Sequence, residues 1–221
     1  MKMYSEYRAQ ARETLNGQWH QLAGIQLVLF LIGSFFSAPV VIGTYIELPW
    51  WIITAGGGGV NYLVDFLLTI PLSYAFYNLC LALVRKEKVD DRFKRLFKEF
   101  SMNYGKYVLS GLLVFIICAA LAVPTLLIGT VIFSLAYGMV PFIIRDNKYI
   151  GIVEALSLSR KMMYGHKWQL LVLELTFLGW MLLSVLTLFI GMLWVLPYMT
   201  TTIAHFYEDV KAEYEEAQVE K

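Results

Sequence analysis

Length, composition and charge exclude an ordinary soluble domain. The chain has 221 residues, of which 58% are hydrophobic and only 16% are charged, and its mean hydropathy is +0.60. A soluble domain of this size is less apolar. The formal net charge of +1 and the lack of a basic arm give no sign of nucleic-acid binding. We therefore expect a membrane protein.

The N-terminal region is polar and carries a weak apolar stripe. The first apolar segment begins only near Leu22, whereas a cleavable signal peptide has an apolar core directly after a short basic region. We therefore expect the N-terminus to be retained. Residues 1–19 are predicted to form an interfacial helix, because four residues share one helical face. These residues are Tyr4, Tyr7, Ala11 and Leu15.

Six apolar segments follow, each close to the length of about 20 residues that a helix needs to cross a membrane. They lie near residues 21–43, 61–84, 107–123, 125–144, 168–188 and 190–207. The third and fourth meet at Pro124, where we expect a tight hairpin because proline breaks a continuing helix. The pattern predicts an all-α polytopic membrane protein with six transmembrane helices arranged as three hairpins.

The basic residues predict the orientation. In the six-helix arrangement all 18 Lys and Arg residues lie on one side of the membrane, and the opposite connections carry none. The positive-inside bias places that side, with both termini, in the cytoplasm. We therefore expect a multi-pass protein of the inner (cytoplasmic) membrane.

The cytoplasmic connections predict two further interfacial helices. In the basic loop 85–106, apolar residues recur at i, i+3, i+4 and i+7, and a basic face adjoins them. The apolar residues are Phe93, Leu96, Phe97 and Phe100, and the predicted lipid-headgroup contacts are Lys94, Arg95 and Lys98. Residues 145–167 carry a weaker stripe of Ile152, Leu156 and Met163.

The whole chain is predicted to be a single membrane domain, residues 1–221. Each hairpin is preceded by one cytoplasmic amphipathic interfacial helix. The hairpins are expected at 21–84, 107–144 and 168–207, and an acidic cytoplasmic tail at 208–221.

Each predicted interfacial helix ends at a glycine that is followed by an aromatic residue and then by a span. The pairs are Gly17 with Trp19, Gly105 with Tyr107, and Gly165 with Trp168. Glycine permits a sharp turn, and aromatic side chains suit the membrane interface. The recurrence predicts a threefold repeat of a surface helix and a transmembrane hairpin.

Two acidic residues fall within the predicted spans. Asp65 is close to the external end of its helix, so we expect its carboxylate to reach interfacial water. Glu174 lies roughly 10 Å into the membrane from the cytoplasmic side.

Other polar residues are predicted at the depth of Glu174. They are Gln26, Asn78, Thr200 and Thr201. This polar layer is either a cytoplasm-facing cavity or coupling site, or a set of hydrogen bonds that fixes helix packing. Packing is favoured, because Asn and Thr commonly join membrane helices in this way.

Catalytic and metal-binding patterns are missing from the sequence. The histidines His20, His166 and His205 lack the paired spacing of a zinc site, and Cys80 and Cys118 lie in apolar segments, where packing is the expected role. There is no Gly-x-Ser-x-Gly elbow. We therefore expect no enzyme, no metal and no cofactor.

Three groups of residues in the C-terminal half carry a family resemblance. They are Gly165 to Trp168, then Phe177, Gly179 and Trp180, then Pro197, Tyr198, Ala204, Phe206 and Tyr207. With them, the chain resembles a bacterial family of six-helix membrane proteins, domain of unknown function 975. It is also distantly similar, in fold alone, to membrane domains attached to bacterial glycerophosphodiester phosphodiesterases. Neither resemblance implies an activity for this chain.

The sequence favours a non-enzymatic accessory or scaffold protein that binds a membrane partner or a lipid surface, since basic amphipathic segments attract anionic headgroups. The alternative is a small transporter or export/immunity factor that uses the polar layer around Glu174. The expected partners are the lipid bilayer and another membrane protein or a second copy of the chain, and not nucleic acid.

Overall fold

The computed structural model describes residues 2–45, 65–87, 91–122 and 128–219, and these residues form helices and no strand. The α-helices are α1 (Tyr4–Leu15), α2 (Trp19–Tyr45), α3 (Ile70–Val84), α4 (Arg92–Ala122), α5 (Ile128–Tyr137), α6 (Val140–Asp146), α7 (Ile152–Met162), α8 (Lys167–Leu175), α9 (Leu178–Leu186) and α10 (Met192–Val219). A π-helical turn, Asp65–Thr69, leads into α3. The predicted hairpin at Pro124 and the side chain of Asp65 lie outside the described part.

Among the described residues, four helical stretches are long and apolar enough to cross a membrane. They are Phe66–Val84, Arg92–Cys118, Gly129–Asp146 and Lys167–Leu186, and Trp19–Ser34 is a shorter apolar helix. A helix forms its backbone hydrogen bonds within itself, as a lipid environment requires. The described part of the chain is therefore helical with four candidate membrane spans, which overlap the second to fifth predicted spans and indicate a membrane protein.

The C-terminal helix α10 lies at the centre of the packing. It contacts α1, α2, α3 and α9, and its aromatic residues fill the two buried clusters. Phe206 meets Tyr7 of α1 with ring centroids 5.7 Å apart, and Tyr198 meets Phe177 at 5.0 Å. Edge-to-face pairs of this kind add to the free energy gained by burying the rings.

Helix α1 turns its apolar stripe toward the protein. Tyr7, Ala11 and Leu15 are buried, and the Thr14 hydroxyl lies 3.0 Å from Nε2 of His205 on α10. The stripe from which the sequence predicts an interfacial helix therefore packs against α10, since packing there removes the same side chains from water.

The connections between the three predicted interfacial helices and the apolar helices that follow them take two forms. Gly17 and Gly165 have φ of 74° and 89°, a conformation that glycine adopts at little cost. Between the basic segment of α4 and its apolar part there is no break: Asn103 alone departs from helical geometry, with φ −121° and ψ 17°. Gly105 remains helical, so the middle connection is a kink at Asn103 and not a glycine turn.

Candidate functional sites

Eight charged side chains meet at the ends of four helices, and we call them the charged cluster. They are Arg85, Glu87, Arg95, Glu99, Arg145, Asp146, Glu208 and Lys211. Four are basic and four are acidic, so the cluster is neutral. Its members come from the C-terminal end of α3 and from α4, α6 and α10, which it joins.

Arg85 is at the centre of one half of the cluster. Its Nη1 and Nη2 donate to the two carboxylate oxygens of Asp146 at 2.6 and 2.8 Å, and its Nε donates to Glu208 at 2.8 Å. Hydrogen bonding to Asp146 raises the pKa of the Arg85 guanidinium above its ordinary value. Asp146 also accepts hydrogen bonds from the Tyr207 hydroxyl at 2.9 Å and from Lys211 at 2.6 Å. The planar fork of arginine suits this two-oxygen contact.

Glu87 and Glu99 form the other half. Glu87 accepts hydrogen bonds from Arg145 at 2.6 Å and from Arg95 at 3.0 Å, and Glu99 lies 3.1 Å from Arg95. The Arg145 side chain is only 8% exposed. A carboxylate and a guanidinium buried to this degree persist because they are paired, and removal of one partner leaves an uncompensated charge.

The outer face of α4 carries two of the three predicted headgroup contacts. Lys94 and Lys98 are exposed and lie one helical turn apart. Phe93 and Phe97 are also exposed and one turn apart. The Lys94 side chain is 86% exposed and lies 3.6 Å from Asp91. Leu96 packs into the protein. This face presents two aromatic and two basic side chains together.

Arg95 has a different environment from the two lysines. Its guanidinium pairs with Glu87 and Glu99 inside the charged cluster. The helix therefore splits the predicted basic face, because Lys94 and Lys98 point outward while Arg95 points toward α3 and α6.

The predicted polar layer is divided between two places. Gln26 and Thr200 line a cavity of about 450 Å³ between α2, α3 and α10, together with Tyr77. Glu174 is half-buried and is not among the residues that line this cavity. The lining is mainly apolar with a few polar groups, as in pockets that bind small molecules.

Asn78 and Thr201 are fully buried in the helix packing instead. The Asn78 amide donates to the Tyr107 hydroxyl at 2.7 Å. The side chain of Asn103, at the kink, donates to the same hydroxyl at 3.3 Å. Tyr107 thus joins α3 to α4 through buried hydrogen bonds.

The aromatic residues of the three predicted turns have three different environments. Trp19 is half-buried, with its ring centroid 5.9 Å from that of Tyr198. Tyr107 is buried, and Trp168 is 68% exposed. Among these three, Trp168 has the exposure that an interfacial anchor requires.

Metal-binding geometry does not occur in the part of the chain that the structure describes. No group of three or more His, Cys, Asp or Glu side chains there is arranged to hold a metal ion. Cys80 is a buried free thiol and Cys118 is half-buried.

Residues 100–214 match a family model described as "Protein of unknown function (DUF975)", and this range covers more than half of the chain. The chain belongs to the DUF975 family. The DUF975 match begins in the basic segment of α4 and ends in α10, so it includes the kink and half of the charged cluster. No curated protein and no solved structure matches the chain. The family resemblance expected from the sequence is thereby confirmed.

Proposed function

We propose that this DUF975 protein is a non-enzymatic accessory or scaffold protein that holds an anionic lipid surface through α4. The observation that carries this function is the outer face of α4, where Phe93 and Phe97 stand exposed beside Lys94 and Lys98. Aromatic side chains favour the interface, and each basic residue near an anionic leaflet contributes about 1 kcal/mol.

The arrangement proposed for the membrane is six helices in three hairpins, with both termini in the cytoplasm of a bacterium. Two contacts support it. The Arg85–Asp146 pair joins the end of the second predicted span to the end of the fourth, and Lys2 lies 2.9 Å from Asp209 on α10. Such contacts are expected if these segments share one side of the membrane. A phosphatase that is active only outside the cytoplasm should be inactive when it is fused after Lys221. An active fusion would contradict the orientation.

The function can be tested with a spin label at position 97. We would introduce Phe97→Cys and Cys118→Ala, while Cys80 is buried and stays unlabelled. In proteoliposomes, the label should collide more often with dissolved oxygen when the bilayer contains phosphatidylglycerol than when it contains only phosphatidylcholine. Adding Lys94→Gln should reduce the difference.

The matched control is a spin label introduced by Lys161→Cys, at an exposed position of α7. Its oxygen collision rate should depend less on the lipid. If the label at position 97 collides equally in both bilayers, α4 does not hold an anionic surface.

The second candidate function is a small transporter or export/immunity factor, and the cavity lined by Gln26 and Thr200 favours it. Glu174 would act as the coupling group, since an ionisable residue within a membrane is costly to keep without a role. Replacing Glu174 with Gln should abolish proton-dependent uptake in proteoliposomes. A scaffold would show no such uptake with either residue.

A further inference from the structure

A cavity of about 290 Å³ opens between the end of α3, the basic segment of α4 and the end of α6. Apart from the Arg85–Asp146 pair, its charged lining consists of four basic residues and two carboxylates. The basic residues are Arg95, Lys98, Arg145 and Lys148, and the carboxylates are those of Glu87 and Glu99. The lining therefore carries an excess of positive charge, although it lies beside the neutral charged cluster.

Two guanidinium donors in this lining face no acceptor among the described residues. Nη1 of Arg145 and Nε of Arg95 are buried and without a hydrogen-bond partner. The carboxylates of Glu87 and Glu99 fix both guanidinium groups through other nitrogens. A buried charged donor without an acceptor is costly, so an anion that approached these nitrogens from the cavity would stabilise both groups.

A phosphate group has the properties that such a site selects. Its oxygens are strong acceptors for guanidinium N–H groups, and its negative charge complements the excess of basic residues. Lys98 and Lys148 are exposed and stand at the margin, where they would attract the anion and not orient it.

We propose that the cavity binds the phosphate group of a soluble anion or of a phospholipid, with Arg145 and Arg95 as the donors. The bound group joins the basic segment of α4 to the end of α6. This site shares Lys98 with the outer face of α4, but neither Lys94 nor Phe97 lines it.

The full-length protein in a non-ionic detergent provides the test. Its thermal unfolding would be followed by tryptophan fluorescence during titration with sodium phosphate and, at equal ionic strength, with sodium chloride. A ligand that binds only the folded state raises Tm, and above the dissociation constant the rise follows the logarithm of the ligand concentration. The second arm compares nanodiscs with and without phosphatidate. A rise with phosphate that exceeds the rise with chloride indicates a soluble source, and a rise with phosphatidate alone indicates a lipid headgroup.

Variants locate the site. Arg145→Lys keeps the charge opposite Glu87 but removes the free donor, so the dissociation constant should rise about tenfold. Lys148→Gln changes an exposed side chain and should raise it about threefold. Lys161→Gln, equally exposed but outside the cavity, should leave it unchanged.

Three outcomes would overturn the proposal. One is an equal rise of Tm in phosphate and chloride with no effect of phosphatidate. Another is a loss of affinity in Lys161→Gln as large as in Lys148→Gln. The third is unchanged affinity in Lys148→Gln together with unchanged affinity in Arg145→Lys or failure of that variant to fold.

Discussion

Tyr107 shows how much the role of one residue depends on its neighbours in space. As an aromatic residue after a glycine, it is predicted to lie at the membrane interface. In the structure it is buried and accepts hydrogen bonds from Asn78 and Asn103. Its hydroxyl therefore stabilises the contact between α3 and α4 at the kink, which the spacing of Gly105 and Tyr107 does not predict.

Replacing Tyr107 with Phe should lower the free energy of unfolding by about 1–2 kcal/mol. The reason is that two buried side-chain amides lose their shared acceptor while the ring still fills its space. The measurement is denaturant unfolding in detergent micelles. Tyr164→Phe serves as the control, because Tyr164 is exposed and its change should be small. Equal effects in the two variants would show that the hydroxyl of Tyr107 does not stabilise the packing.

The helix connections decide which glycines are essential. Gly165 adopts φ +89°, and no atom lies within 4 Å of the position that a Cβ would take there. The cost of a side chain at Gly165 is therefore backbone strain alone. Gly105 also has open space, but it lies inside the continuous helix α4, where alanine is the better helix former.

The same substitution at these two glycines should consequently have opposite effects. Gly165→Ala should destabilise the protein by about 1 kcal/mol because its left-handed conformation disfavours a Cβ. Gly105→Ala should stabilise it by about 0.5–1 kcal/mol through helix propensity. Thermal unfolding of the two variants side by side measures both. Destabilisation by Gly105→Ala as large as that by Gly165→Ala would mean that the middle connection also needs a glycine turn.

At the scale of the molecule, the charged cluster is the feature that sequence patterns predict least. The helices follow from apolar periodicity and from segment length, which are local properties. Arg95 and Glu99 have the i, i+4 spacing of a helical ion pair, but Arg85 and Asp146 are brought together only by the packing of α3 on α6. A basic loop and an acidic tail indicate attraction, and they do not identify the partners.

The sequence also predicts the polar layer only in part. Membrane depth can be counted along each helix, so the sequence places Gln26, Thr200 and Glu174 at a similar level. The rotation of each helix about its axis depends on packing, and it separates Asn78 and Thr201 from the cavity. The direction of each side chain therefore could not be predicted by counting residues along a helix.

Arg85→Met should destabilise the whole assembly, because Arg85 joins α3 to both α6 and α10. The loss leaves Asp146 and Glu208 with fewer partners. Removing one member of a buried pair costs about 3–5 kcal/mol, and we expect about 2 kcal/mol here because the pair is partly exposed to solvent. Chemical unfolding measures the change, and Lys94→Met, which removes a weakly paired surface charge, should cost less than about 0.5 kcal/mol. Equal costs would mean that Arg85 contributes only as a surface charge.

The unbroken course of α4 has a mechanical consequence. A flexible loop would let the basic segment and the apolar segment of this helix move separately, whereas a helical connection bent at Asn103 is expected to couple their movements. The apolar segment packs closely on α3, because a Cβ on Gly111 would lie 2.7 Å from a methyl group of Ile70. We therefore expect a force on Phe93 or Phe97 to change the packing between α4 and α3.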